Sequence, residues 1–166
     1  MSLFFPMMNK NKKNGLEIGS DIPEAKVFDV DGNPLSLREI CKGGLTLLYF
    51  FPKANTPACT IQACHLRDRL TDLQKKNIKV YGISRDKPCT QKKFSQSYNL
   101  NFSLLSDLNG EACRAFSIPL FLGIPRRVSF LIQEGKLIWR DFHPNIWKTA
   151  EDVLEAITVS DYWPKD

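Results

Sequence analysis

The stretch that decides the fold reads LTLLYFFPKANTPACTIQACHLRD and runs from Leu45 to Asp68. It opens with a continuous apolar run, which is bounded by a pair of glycines before it and by Pro52 after it. A run of this length between such boundaries is typical of a central strand covered on both faces. The sequence therefore predicts a buried strand that delivers the chain to the segment containing the first of two cysteines.

A helix is predicted next, from Pro57 or Ala58 to Lys76. Alanine and leucine recur there at steps of three and four residues, which gives one apolar face. Thr56 before Pro57 suits an N-cap followed by proline in the first turn. Cys59 then lies in that first turn, where free backbone N–H groups and the helix dipole favour a thiolate. Position alone thus makes Cys59 a candidate nucleophile.

The rest of the chain alternates strands with helices. Further strands are predicted at 25–30, 78–84 and 102–107, and a hairpin at 126–142 turns at Glu134-Gly135. Helices are predicted within 87–100 and 109–118, and a last helix within 148–160 is capped by Thr149. This order predicts an α/β sandwich around a central mixed sheet with helices on its faces.

Composition sets limits on the class of protein. The chain has 166 residues, is 43% hydrophobic and carries a net charge of +5. We expect one domain over residues 17–166, preceded by a flexible arm, residues 1–16, that contains three of the lysines. No RNA-binding aromatic motif or apolar run of membrane-spanning length is present, so neither nucleic acid nor a membrane is an expected partner. Five scattered cysteines do not form a secreted disulfide framework, which favours a cytoplasmic location.

Residues 49–68, YFFPKANTPACTIQACHLRD, resemble the active-site segment of the peroxiredoxins, specifically the bacterioferritin-comigratory or Q type. The segments GISRDKP, FSLLSD and RRVSFLI follow in the family's order, so the resemblance covers the chain from about residue 15 onward. It implies a thioredoxin-like fold and a thiol peroxidase that uses no metal or organic cofactor. Ala58 stands where the family often has glycine, and LIQEGKL lacks the family's frequent aspartate.

The resemblance also implies a role for individual residues. Cys59 matches the peroxidatic cysteine, and Pro52 and Thr56 match the proline and threonine of the family's PxxxTxxC motif. The family's arginine precedes a strand of the form R-[IV]-[ST]-F, and Arg127 fits this pattern better than Arg126. Hydrogen peroxide or an organic hydroperoxide is the implied substrate.

Cys64 matches the resolving cysteine of many Q-type members, which form an internal disulfide that thioredoxin or a similar dithiol reduces. An internal resolving cysteine favours a monomer. Four residues separate Cys64 from Cys59, which on a helix corresponds to a rise of ~7.5 Å and a rotation of about 140°. A disulfide requires the Cα atoms to lie within ~7 Å of each other. We therefore expect the first turns of the helix to unwind when the disulfide forms.

Alternative interpretations concern the remaining thiols and histidines. Cys89 begins another predicted helix and is a second candidate for the resolving role. Cys64 and His65 are a weak zinc-binding pair, since adjacent helix residues point about 100° apart. His65 is predicted to be an exposed helix residue, and His143 a loop residue. A peroxide-sensing switch or redox-regulated chaperone is the alternative function. Cys41 and Cys113 are expected to be buried or incidental.

Overall fold

The computed structural model describes residues 16–159. All of the predicted N-terminal arm except Leu16 lies outside this range, as do the last seven residues. The prediction of a flexible arm over residues 1–16 and a single domain over 17–166 therefore stays a prediction. No helix within residues 16–159 combines the length and the apolar character that crossing a bilayer requires.

The strands and helices alternate as the sequence predicts, with small additions. The strands are β1 Lys26–Phe28, β2 Pro34–Ser36, β3 Leu45–Phe50, β4 Ile78–Ser84, β5 Ser103–Ser106, β6 Leu120–Phe121, β7 Ile124–Pro125, β8 Val128–Gln133 and β9 Lys136–Asp141. The helices are α1 Leu37–Ile40, α2 Pro57–Gln74, α3 Pro88–Ser97, α4 Glu111–Ala115 and α5 Thr149–Val159.

Seven strands form one mixed sheet in the order β2-β1-β5-β4-β3-β8-β9. The central strand β3 is parallel to β4 and antiparallel to β8. All six residues of β3 are buried, which confirms the prediction of a strand covered on both faces. The predicted α/β sandwich with a mixed central sheet is likewise confirmed.

Side chains of β3 alternate between two cores, one on each face of the sheet. Leu47 and Tyr49 pack into a cluster that includes the apolar face of α2 and residues of α5. Leu48 and Phe50 pack into the other, which includes residues of α4 and the ring of Phe130. Burial on both faces holds β3 rigidly, so the chain that leaves its end enters α2 from a well-supported point.

One local prediction needs correction, and a second is confirmed for the backbone alone. Thr149 is the first residue of α5 rather than its cap, and its hydroxyl donates to the carbonyl oxygen of Asn145 at 2.8 Å. Thr56 is the N-cap of α2 by backbone conformation, but its side chain makes no capping hydrogen bond. The sequence also gave no signal for α1 or for the small hairpin of β6 and β7. Those elements have only two to four residues each, too few for a hydrophobic period to register.

Gly82 in the middle of β4 is required by the ring of Tyr49, its partner across the parallel ladder. A methyl group at position 82 would lie 2.7 Å from Cζ of Tyr49, inside contact distance. We expect Gly82→Ala to lower the free energy of unfolding by about 1–3 kcal/mol, because the buried ring has to shift. Urea denaturation measures the change. Gly43→Ala is the matched control, since its added methyl group meets nothing within 4 Å, and an equal loss in both variants would contradict the explanation.

Candidate active site

Cys59 lies in the first turn of α2, as the third residue of the helix. Its side chain is buried, with 2% of the residue exposed. β3 ends nine residues earlier, and in the register of β3 with β8 Phe50 pairs with Val128. Because β8 runs antiparallel to β3, the residues just before Val128 arrive at the edge of the sheet where α2 begins. The candidate site lies at this edge of the sheet.

Arg127 contacts Cys59 directly. Its Nη2 donates to Sγ of Cys59 at 3.3 Å, and its Nη1 donates to Oε1 of Gln62 at 2.6 Å. Arg126, by contrast, is exposed to solvent. A guanidinium in contact with a buried sulfur stabilises negative charge on that sulfur and on an oxygen bound beside it. The geometry therefore brings together Cys59 and Arg127, the arginine that the sequence pattern favoured.

Gln62 connects Arg127 to α5 through hydrogen bonds. It is fully buried one turn after Cys59, and its Nε2 donates to Oγ1 of Thr149 at 3.1 Å. Arg127, Gln62 and Thr149 thus form a continuous hydrogen-bonded chain from the thiol to the start of α5. Sequence reasoning assigned no role to Gln62, and it predicted Thr149 only as a helix cap, with no link to the site. The available signal was a glutamine at helical spacing from Cys59, beside the apolar face of α2.

Thr56 and Pro52 lie in the loop that joins β3 to α2, and both are half-buried. The hydroxyl of Thr56 donates to the carbonyl oxygen of Lys53 at 2.7 Å, so its oxygen keeps lone pairs free to accept. The loop is anchored from β4, because Oδ2 of Asp86 accepts from the backbone N–H of Ala54 at 2.8 Å. These contacts place the threonine one turn before the thiol.

The five cysteines are all free thiols in differing surroundings. Cys41 and Cys113 are buried, as expected, and burial raises the pKa of Cys41 to about 12 and that of Cys113 further. Both stay protonated at neutral pH and are poor nucleophiles. Cys64 is half-buried on the same unbroken helix as Cys59, and Cys89 is exposed in the first turn of α3.

His65 contradicts its prediction as an exposed residue. Only 12% of its side chain is accessible, because α5 packs against α2 at this point. The backbone N–H of Ala150 donates to Nε2 of His65 at 3.1 Å, and Glu151 lies 3.0 Å from the same nitrogen. His65 therefore joins two helices, and no group of three or more histidine, cysteine or acidic side chains within 16–159 is placed to hold a metal ion. His143 is exposed outside the helices and strands, as predicted.

Comparison with known proteins places this geometry in a family. Residues 18–140 match the family model described as AhpC/TSA family. The chain belongs to the AhpC/TSA family. It is 40% identical over 139 residues to peroxiredoxin Bcp of Escherichia coli K12, a match that covers 78% of this chain and 88% of that one.

Two solved structures extend the likeness of this AhpC/TSA member to three dimensions. Peroxidoxin BcpB from Mycobacterium tuberculosis superposes with a TM-score of 0.78 at 28% identity, covering 85% of this chain and 96% of that one. The bacterioferritin comigratory protein of Xanthomonas campestris, studied for its alkyl peroxide reduction activity, gives 0.72 at 26% identity, covering 80% and 88%. The predicted peroxiredoxin membership and thioredoxin-like fold are thus confirmed.

Proposed function

We propose that this AhpC/TSA protein is a thiol peroxidase that reduces hydrogen peroxide and organic hydroperoxides through Cys59. The observation that carries the proposal is the contact between Nη2 of Arg127 and Sγ of Cys59 in the first turn of α2. A thiolate at a helix N-terminus beside a guanidinium is both available as a nucleophile and surrounded by donors for oxygen.

The first step is attack of the Cys59 thiolate on one oxygen of ROOH. A sulfur–oxygen bond forms, the oxygen–oxygen bond breaks, and the leaving RO⁻ takes a proton to give water or an alcohol. Arg127 and the free N–H groups of the first helical turn hold the peroxide and stabilise the leaving oxygen, and the hydroxyl oxygen of Thr56 accepts a hydrogen bond from the peroxide O–H. Pro52 shapes the loop that brings these donors over the sulfur. Cys59 becomes a sulfenic acid, the reversible rung of thiol oxidation.

Cys64 completes the oxidative half of the cycle. Its sulfur attacks the Cys59 sulfenic acid, a disulfide forms, and the hydroxyl leaves as water. Thioredoxin or a similar dithiol then reduces the disulfide, which returns both thiols and oxidises the reductant. The chain works as a monomer in the cytoplasm in this proposal, and the reaction uses no cofactor or metal.

A coupled assay with thioredoxin, thioredoxin reductase and NADPH tests the proposed function. We expect NADPH oxidation that depends on peroxide and continues over many enzyme equivalents. Oxidation that stops after one equivalent would instead support the alternative function, a peroxide-sensing switch or chaperone.

Helix opening is a required part of this cycle. Both cysteines lie within α2, which is continuous from Pro57 to Gln74. The distance between their Cα atoms is therefore longer than the ~7 Å that a disulfide allows. We expect hydrogen exchange of residues 58–66 to rise sharply on oxidation, while the distal turns of α2 stay protected. A crystal structure of the oxidised protein with residues 58–66 fully helical would contradict this.

The choice between Cys64 and Cys89 as the resolving cysteine has a direct test. After one equivalent of peroxide, Cys64→Ser is expected to lack an internal disulfide and to carry an added oxygen in its intact mass. Cys89→Ser is the matched control and should lose two hydrogens as the wild type does. An internal disulfide in Cys64→Ser that disappears when Cys89 is also replaced would assign the role to Cys89.

A further inference from the structure

The hairpin of β6 and β7 presents an apolar surface to solvent. Its turn passes through Leu122 and Gly123, both with left-handed backbone angles, φ of 51° and 76°. Phe121 is 73% exposed and Leu122 is 86% exposed, and Leu120 and Ile124 are exposed as well. Contiguous apolar surface of this kind on a folded protein marks an interaction site more often than chance exposure does.

Two arginines adjoin this hairpin, and a third lies beside one of them. Guanidinium atoms of Arg85 and Arg114 lie within 3.4 Å of the same point, the position of a Cβ built on Gly110. Nη1 of Arg85 also donates to the carbonyl oxygen of Gly123 at 3.4 Å, which joins the pair to the hairpin turn. The third, Arg126, is exposed and follows β7 directly.

These arginines lack a directly paired carboxylate in the part of the chain that the structure describes. Within residues 16–159, none of the three forms an ion pair with a carboxylate. Nε of Arg85 is buried and has no hydrogen-bond partner in that range. Two neighbouring guanidinium groups that form no ion pair within residues 16–159 repel each other, so a negatively charged partner is favoured there.

The hairpin is directly connected along the chain to a residue that contacts the reactive thiol. We call Arg85, Arg114, Arg126 and the hairpin residues 120–124 the hairpin surface. Arg127 follows Arg126 immediately and contacts Sγ of Cys59. Ser84 and Asp86, on either side of Arg85, lie at the end of β4, and Asp86 holds the loop before α2. The hairpin surface therefore lies at the same edge of the sheet as the start of α2.

We propose that the hairpin surface is the docking site for the dithiol protein that reduces the oxidised enzyme. The partner it fits has an apolar patch around its reactive cysteines and carboxylates at the rim. Exposed aromatic and arginine side chains are the types enriched in interface centres, and opposite charge at the rim accelerates association and orients the partner. This inference rests on the proposed peroxidase function.

Docking brings the partner's dithiol to the enzyme disulfide for thiol–disulfide exchange. A thiolate of the partner attacks one sulfur of the Cys59–Cys64 disulfide, and the other sulfur leaves as a thiolate. The second thiol of the partner then displaces the first, so the partner leaves as a disulfide and both enzyme thiols are restored. A small dithiol such as dithiothreitol performs the same exchange and needs no protein surface.

Comparison of the two reductants tests the docking site. The variants are Phe121→Ser with Leu122→Ser, and Arg85→Gln with Arg114→Gln. With thioredoxin as the varied substrate, we expect kcat/KM to fall on the order of tenfold or more in each, as for loss of interface anchors. With dithiothreitol the rates should match the wild type. The arginine variant should also show a weaker dependence of kcat/KM on salt concentration.

The control variants make the same kinds of substitution at residues outside the hairpin surface. Val159→Ser removes another exposed apolar side chain, and Arg38→Gln removes one positive charge from α1. Both should leave kcat/KM for thioredoxin unchanged.

Three results would overturn the docking site. They are an unchanged thioredoxin kcat/KM in both double variants, an equal loss with dithiothreitol, and a wild type that turns over no faster with thioredoxin than with dithiothreitol at the same concentration. Absence of wild-type turnover with dithiothreitol would instead refute the peroxidase function itself, and with it this inference.

Discussion

Replacement of Cys59 with serine is expected to abolish peroxide turnover, with a loss on the order of a thousandfold or more. A hydroxyl oxygen is a poor nucleophile toward a peroxide oxygen, whereas sulfur is polarizable and intrinsically strongly nucleophilic. The fold should tolerate the change, because the two side chains differ by one atom. Peroxide consumption in the presence of excess dithiothreitol measures the effect.

Cys89→Ser is the control for this variant, since it removes an exposed cysteine that also lies in the first turn of a helix. We expect it to react with one equivalent of hydrogen peroxide at the wild-type rate. Full activity in Cys59→Ser would show that the peroxidase assignment of this residue is wrong.

Replacement of Arg127 with glutamine is expected to slow the reaction of the reduced enzyme with hydrogen peroxide by about 10²–10³-fold, the usual cost of a lost donor to a developing oxyanion. Arg127 contacts both the sulfur of Cys59 and the side chain of Gln62. Its loss removes the charge that favours the thiolate and a donor to the leaving oxygen. Stopped-flow measurement of a single oxidation isolates this step from reductive recycling.

Arg126→Gln provides a closely matched control, since it removes the same charge one residue away. Its single-oxidation rate should stay within about twofold of the wild type, because an exposed charge at that position contributes little beyond weak steering. If the two variants were equally slow, or Arg126→Gln the slower, the assignment of the arginine would have to be reversed.

The central strand and the helix that carries the thiol were predictable because their signals are local. A continuous apolar run predicts β3, and Thr56-Pro57 predicts the start of α2 within a residue. Short elements such as α1 and the β6–β7 hairpin were not predictable, since their existence depends on the neighbours against which the chain folds. The hairpin surface was missed for the same reason, since it joins residues 120–124 and Arg126 to Arg85 and Arg114 from earlier in the chain.

His65 shows how a local pattern can mislead. On α2 alone it lies between the apolar face and solvent, and an exposed position is the ordinary expectation. The chain returns 85 residues later to place Ala150 and Glu151 against it. Burial of His65, like the contact of Gln62 with Thr149, is decided by the packing of α5, which no spacing within α2 encodes.

The sequence by itself determined the candidate nucleophile, because a cysteine in the first turn of a helix after a buried strand is a local arrangement. Only the tertiary structure decided which arginine reaches it. Val128 and Phe130 face the α4 side of the sheet and Leu131 faces the α2 side, and side chains alternate along a strand. Arg127 therefore falls on the face where α2 begins, and the antiparallel register of Phe50 with Val128 brings it to the sulfur.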